Sequence, residues 1–292
     1  GPRNILGPRE KGNYTIPFDY SALDANSEYF VKVQFLLAKD MPWAKKGYVQ
    51  MEEQLPVKSA GQFASIKESA KGDKPTLSQT KDKNLVKGNG FSVVFNNATG
   101  TINSLQYGSK VIFADGNGPK LDAFRAMTDN DNWAYRQWFA KGLNNLQHKV
   151  LDSKVYTKED GTVVLAYTVE SQAPYGQNIR DLGISSGKYE ITKSKDFGPD
   201  DFKFTTNQIW TVYPDGSIEL EANINSSEPG LALPRLGYVM KTPSDLKNYT
   251  YYGRGPQNNY NDRMNGAFVQ LYNSTVQDQF VHFPKPQSMG NR

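Results

Sequence analysis

Asp129, Asn130 and Asp131 stand in a row between Arg125 and Trp133. Carboxylates and an amide at this density suit the hydroxyls of a sugar, and equally a hard cation such as Ca²⁺ or Na⁺. The same residue types also do a plainer job: Asp131 is placed to cap a following helix while its neighbours brace the loop. Trp133 presents an indole that either stacks on a sugar ring or opens the helix into a core. A second group comprises Arg254, Asn259, Tyr260, Asp262 and Arg263, in a stretch packed with Gly253, Gly255 and Pro256. Guanidinium forks there suit bidentate contacts to Asp262 or to a carboxylate outside this segment, or a salt-bridged turn that only holds the loop in shape. No His/Asp/Glu spacing marks a zinc site, and no glycine-rich phosphate loop or nucleophile elbow occurs. The chain has no cysteine, so thiolate nucleophiles, thiolate metal sites and disulfides are excluded.

The elements that must hold these groups are strands. Period-two alternation runs through Tyr29, Val31, Val33, Phe35 and Leu37, opposed by Lys32 and Gln34, and again through Val163, Leu165, Tyr167 and Val169. Phe202, Phe204, Trp210 and Val212 share one side of another strand. It runs into Pro214-Asp215-Gly216 and then Ile218, Leu220, Ala222 and Ile224, which predicts a hairpin. Phe91, Val93 and Phe95 before Asn96-Asn97-Ala98-Thr99-Gly100 predict a second hairpin, and Lys158-Glu159-Asp160-Gly161 a third. One segment departs from alternation: Trp133 through Leu143 predicts a short helix, with Gly142 to terminate it. Residues 58–75 are rich in Lys, Ser, Ala and Gly without periodicity and look like a linker. Only about three strands precede it, too few for a closed sandwich.

Composition sets the outer bounds. In 292 residues, 37 % are hydrophobic and 12 % aromatic, enough to build a core. A formal net charge of +4 with no basic block argues against a nucleic-acid partner. No apolar run reaches the length of a membrane span. The opening Gly1-Pro2-Arg3-Asn4 is polar, unlike a secretory leader, and the compartment stays open. Asn-X-Ser/Thr sequons at Asn13, Asn97, Asn225, Asn248 and Asn273 are about as many as chance gives in an asparagine-rich chain, and carry little weight for glycosylation.

Several short motifs together resemble one family. Arg125-Ala126-Met127-Thr128-Asp129-Asn130-Asp131 resembles the Arg-Ala-Pro-x-Asp-Asn-Asp signature in the last domain of family 2 β-galactosidases. Leu233-Pro234-Arg235-Leu236-Gly237 is similar to that domain's Leu-Pro-Arg-Ile-Gly. Tyr252-Gly253-Arg254-Gly255-Pro256, with Asn259-Tyr260 and Asp262-Arg263, resembles its Tyr-Gly-Arg-Gly-Pro-x-Glu-Asn-Tyr-x-Asp-Arg. Pro286-Gln287 with Gly290-Asn291-Arg292 resembles its Pro-Gln-Glu-Asn-Gly-Asn-Arg. Trp43-Ala44, Gly47 and Gln54-Leu55 are similar to the end of the preceding immunoglobulin-like domain. Asn258 and Ser288 replace family glutamates, Met289 an asparagine and Met127 a proline, which leaves the sugar preference open.

The resemblance implies an all-β fold. Residues 1–57 would be a partial immunoglobulin-like β-sandwich, 58–75 a linker, and 76–292 a galactose-mutarotase-like β-supersandwich that stops before the family's last strands. It implies hydrolysis of terminal β-galactosides with retention by the intact enzyme. Two glutamates on a preceding barrel would do that chemistry, and nothing here matches the barrel's motifs. No residue of this chain is then expected to be catalytic. Asp129, Asn130, Asp131, Trp133, Arg254, Asn259, Tyr260, Asp262 and Arg263 become candidates for the rim of the sugar site. The implied partners are a β-galactoside or other carbohydrate, the barrel of the same chain, and further copies in a homo-oligomer. No cofactor is implied for this segment, since the Mg and Na ions of intact relatives sit in other domains. Two other functions fit the same residues. One is a stand-alone carbohydrate-binding module. The other is an aldose mutarotase using His282 as acid, although His282 alternates with Phe280 and Phe283 as a plain strand residue would.

Overall fold

The structure is a computed structural model that describes residues 6–13, 15, 17, 19–24, 27–58, 71–183, 188–256, 259 and 264–280. Its contacts divide the chain into two compact units, residues 1–64 and 65–292. In both, strands dominate, and the protein is all-β.

The first unit carries one antiparallel ribbon, β1 (Tyr29–Leu36) against β2 (Val49–Lys58). Val31 opposes Leu55, Val33 opposes Glu53 and Phe35 opposes Met51, so these residues share a face. On the other face Lys32 pairs with Glu52 at 2.8 Å and Gln34 donates to the same carboxylate at 2.8 Å. The alternation read from the sequence holds for half-buried Val31 and Val33 but fails at Phe35, which is 56 % exposed. Its cross-strand neighbour Met51 is equally open, and among the described residues no second sheet layer lies over that end of the ribbon.

The second unit is built on two stacked sheets. One is a five-stranded meander: β3 (Thr76–Gln79), β4 (Lys83–Gly88), β5 (Phe91–Asn96), β6 (Thr101–Tyr107) and β7 (Lys110–Phe113). After the short β8 (Lys120–Asp122) and helix α1 (Tyr135–Ala140) come β9 (Gln147–Thr157) and β10 (Val163–Gln172). A ribbon of β11 (Tyr175–Asp181) and β12 (Tyr189–Asp196) precedes β13 (Phe204–Val212) and β14 (Ile218–Ser226). Strands β14, β13, β10 and β9, in that order, form the second large sheet. Finally β15 (Gly237–Val239) pairs with β8, and β16 (Asn248–Gly255) pairs with β17 (Phe268–Thr275).

Alternation explains the stacking. Val86, Phe91, Val93, Phe95, Ile102 and Leu105 of the meander meet Val163, Leu165, Tyr167, Val169, Trp210 and Val212 of the second sheet in one interior. Each such side chain, fully buried, contributes about 1.5–3 kcal/mol relative to exposure. A second interior gathers Leu121, Ala123, Tyr135, Trp138, Phe139, Leu143, Phe202 and Phe204 around α1. Strand β13 feeds both. Between its two apolar ends lie Thr206 and Gln208, also buried.

The three predicted hairpins form. At β13–β14 the Tyr213 amide donates to Ser217 O at 2.9 Å, and Gly216 takes φ +87°. At β9–β10 the Lys158 amide donates to Thr162 O at 2.8 Å, with Gly161 at φ +92°. At β5–β6 Gly100 adopts φ +68° and has a second role. Its carbonyl accepts Gln208 Nε2 at 2.5 Å and Trp210 Nε1 at 3.0 Å, which ties the hairpin to β13. Within the stretch read as a linker, Gly72–Pro75 lie against two of these turns. A Cβ on Gly72 would stand 2.7 Å from Pro214 O, one on Gly161 2.7 Å from Lys74 Cγ, and Pro75 is buried.

The predicted helix is shorter than Trp133–Leu143. A 3-10 turn at Asp129–Asp131 precedes it and another at Leu143–Asn145 follows. Gly142 ends it as expected, in the left-handed region at φ +67°, its amide bonded to Phe139 O at 3.0 Å. Asp131 does not cap it. The N-cap is Ala134, with no side-chain bond, because the Asp131 carboxylate is already committed elsewhere.

Candidate functional site

Asp131 is the hub of the first candidate group. Arg125 Nη1 donates to its Oδ2 at 2.6 Å and Nη2 to its Oδ1 at 2.9 Å, a bidentate fork. The Thr128 amide and hydroxyl donate to Oδ2 at 2.6 and 2.9 Å. Burial by itself pushes the Asp131 carboxyl up, but these donors outweigh it and hold the carboxyl below its ordinary value. The Arg125 guanidinium lies 5.4 Å from the centre of the Trp138 ring, and Trp138 Nε1 donates to Ala232 O at 2.8 Å. Leu233 packs on the same interior, while Arg235 Nε donates to Asp122 Oδ2 at 2.6 Å and Gly237 pairs with Asp122 in β8. The 125–131 and 233–237 motifs thus hold one piece of structure from two sides.

This bracket fixes what it presents outward. Trp133, two residues beyond Asp131, is 75 % exposed, and Asn130 is exposed as well. The possibility that Trp133 opens the helix into the core is ruled out. That role falls to Ala134, Tyr135 and Trp138, all under 4 % exposed. Asp129 is the first residue of the 3-10 turn Asp129–Asp131. An exposed indole and amide beside the Arg125–Asp131 pair offer a flat apolar face and hydrogen-bonding groups, the chemistry that suits a ring edged by hydroxyls.

The second group rests on a different element. Arg254, at the end of β16, donates from Nη1 to Ala267 O at 3.0 Å and Met264 O at 3.3 Å, so it clips the chain leading into β17. Asn259 is 5 % exposed, and among the described residues its Nδ2 has no hydrogen-bond partner. Tyr260, Asp262, Arg263 and His282 lie outside the described residues, as do Asn258, the 286–292 motif and most of the 58–75 stretch.

Sequence reasoning passed over one pairing near these motifs. His148 Nδ1 sits 2.9 Å from the hydroxyl of fully buried Ser171. Burial and then Lys120 hold this imidazole below its ordinary value, against an opposing pull from Asp122. Ser171 is closed to solvent, so the pair is structural. A lone histidine among strand residues gave no signal of it. Among the described residues no three His, Asp or Glu side chains gather where one ion could be held.

Comparison with known proteins gives one consistent answer. The family profile described as "Beta galactosidase small chain" matches residues 87–292, and the profile for "Beta-galactosidase, domain 4" matches residues 2–58. A β-galactosidase from Lactobacillus delbrueckii subsp. bulgaricus is 28 % identical over 98 % of this chain and 25 % of its own length. One from Psychromonas ingrahamii is 26 % identical, over 95 % of this chain and 26 % of its own. One from Priestia megaterium is 25 % identical, over 94 % and 23 %. The chain spans about a quarter of the length of the curated relatives it matches.

Proposed function

Because this chain belongs to the β-galactosidase small-chain family, we propose that it is the non-catalytic, sugar-facing part of a retaining β-galactosidase. It shapes the rim of the sugar site and stabilises the assembly, while a barrel elsewhere in the enzyme supplies the acid and the nucleophile. The observation that carries this is Trp133: an indole 75 % exposed, placed next to a buried, four-bonded carboxylate. An exposed tryptophan on a rigid mount offers stacking area without an ordering cost at the moment of binding. The two retaining carboxyls must stand roughly 5 Å apart across one sugar carbon. The pairing of Asp131 with Arg125 supports a holding role for that carboxylate in preference to acid or nucleophile.

Three measurements test this. The purified chain should not turn over nitrophenyl β-galactoside, and hydrolysis by the pure chain would overturn the proposal. Combined with the barrel-bearing part of its parent, it should support hydrolysis, and Trp133→Ala should raise KM about tenfold, the loss of roughly 1.4 kcal/mol of stacking. An unchanged KM would remove Trp133 from the rim. If instead the isolated chain bound lactose in calorimetry and Trp133→Ala abolished that binding, the chain would be a stand-alone binding module.

A further inference from the structure

We infer that the exposed face of the β16–β17 ribbon is a second saccharide-binding site, separate from the Trp133 rim and built for a neutral disaccharide. It rests on the geometry of this ribbon, not on the rim proposal. A groove of about 420 Å³ opens at the ribbon's end, in the size range of small-ligand sites. Asn248 pairs across the ribbon with Thr275 and Thr250 with Asn273, so two amides and two hydroxyls cross on one face. Thr250 Oγ1 donates to Asn273 Oδ1 at 2.5 Å, which orients that amide and leaves its nitrogen to donate outward. Asp278 closes the end: its Oδ2 accepts the Thr275 hydroxyl at 2.7 Å, its amide donates back to Thr275 Oγ1 at 3.1 Å, and Oδ1 remains for a ligand hydroxyl.

The lining selects the ligand. Among the described residues no lysine or arginine lines the groove, so a phosphate or carboxylate would meet Asp278 without a compensating cation. A divalent cation needs six or more oxygens and would find a single carboxylate. Paired donors and acceptors with one carboxylate match vicinal sugar hydroxyls. One rung along the same face, roughly 7 Å away at strand rise, Tyr252 opposes Leu271, and the two are 55 % and 63 % exposed. That spacing seats one ring among the polar groups and lays the next on an apolar pair.

The test uses the whole chain and titrates lactose, methyl β-galactoside and glycerol, following the side-chain amide resonances of Asn248 and Asn273. Lactose should shift them saturably in the millimolar range, and methyl β-galactoside more weakly. Asp278→Asn should weaken lactose about tenfold, as expected for a hydrogen bond to a charged group. Leu271→Ser, at an exposed position that leaves folding intact, should bring lactose down to the level of the monosaccharide. Trp133→Ala should change neither titration, which separates this site from the rim. Shifts by glycerol equal to those by lactose, no shift at all, or a lactose affinity untouched by both Asp278→Asn and Leu271→Ser would overturn the inference.

Discussion

Replacing Asp131 with asparagine is expected to cost the fold about 3 kcal/mol, the lower end of what breaking one side of a buried ion pair costs. The side chains of Arg125 and Asp131 are only 19 % and 10 % exposed, so water does little to screen the loss. Asparagine keeps one oxygen that can accept from Thr128 or one arm of the fork. The other arm of Arg125 would face an amide nitrogen in place of a carboxylate oxygen, beside the Trp138 ring. Urea unfolding followed by tryptophan fluorescence measures the cost. A double-mutant cycle with Arg125→Leu separates the pair from its parts: the double variant should lose about 1–3 kcal/mol less than the sum of the singles. The effect also has a pH signature. The folded carboxyl titrates below its unfolded value near 3.8, so its stabilisation is complete above that pH and is lost as pH falls through the folded value. Asp131→Asn should flatten that acid limb. A single-variant cost under about 1 kcal/mol, or singles that simply add, would refute the view that this pair holds the bracket.

Two other perturbations follow from geometry. His148 is held below 6.5 by burial, so below that pH the unfolded chain takes a proton that the folded chain resists, and stability should rise with pH up to 6.5 and level off above it. His148→Gln should remove that slope from melting temperatures recorded between about pH 5 and pH 7. Gly100→Ala should cost at least about 2 kcal/mol in urea unfolding. A methyl there must accept φ +68° and sit 2.8 Å from Gln208 Nε2 and 3.0 Å from Val169 Cγ2.

Strand character was legible wherever one face is buried against a second layer. Val163, Leu165, Tyr167 and Val169 alternate in sequence because they alternate in space, and Gly100, Gly161 and Gly216 announced their turns because only glycine takes those angles cheaply. Phe35 misled because hydrophobicity reports what would be buried, not whether a cover arrives. The role of Asp131 misled for a related reason. A carboxylate before a helix is the usual sign of a cap, but here it turns back to the Arg125 guanidinium and the Thr128 amide and hydroxyl upstream, away from the amides of the helix that follows. Trp133 could not be resolved from spacing alone, since its exposure follows from the helix starting at Tyr135, two residues later than a helix opened by Trp133 would. The groove beside Asp278 left no trace in sequence order, because Asn248 and Asn273 meet only through the register of two strands.

Strand β13 inserts Phe204 into one interior and Trp210 and Val212 into the other. Peeling that strand would uncover apolar side chains in both interiors at once, which raises the cost of opening it above that of a strand serving one interior. Trp138, which lies under the Arg125 guanidinium, belongs to the interior that Phe204 of this strand helps to fill. Fraying at the surface above Trp138 would therefore have to work against apolar burial that continues along the same strand into the other interior.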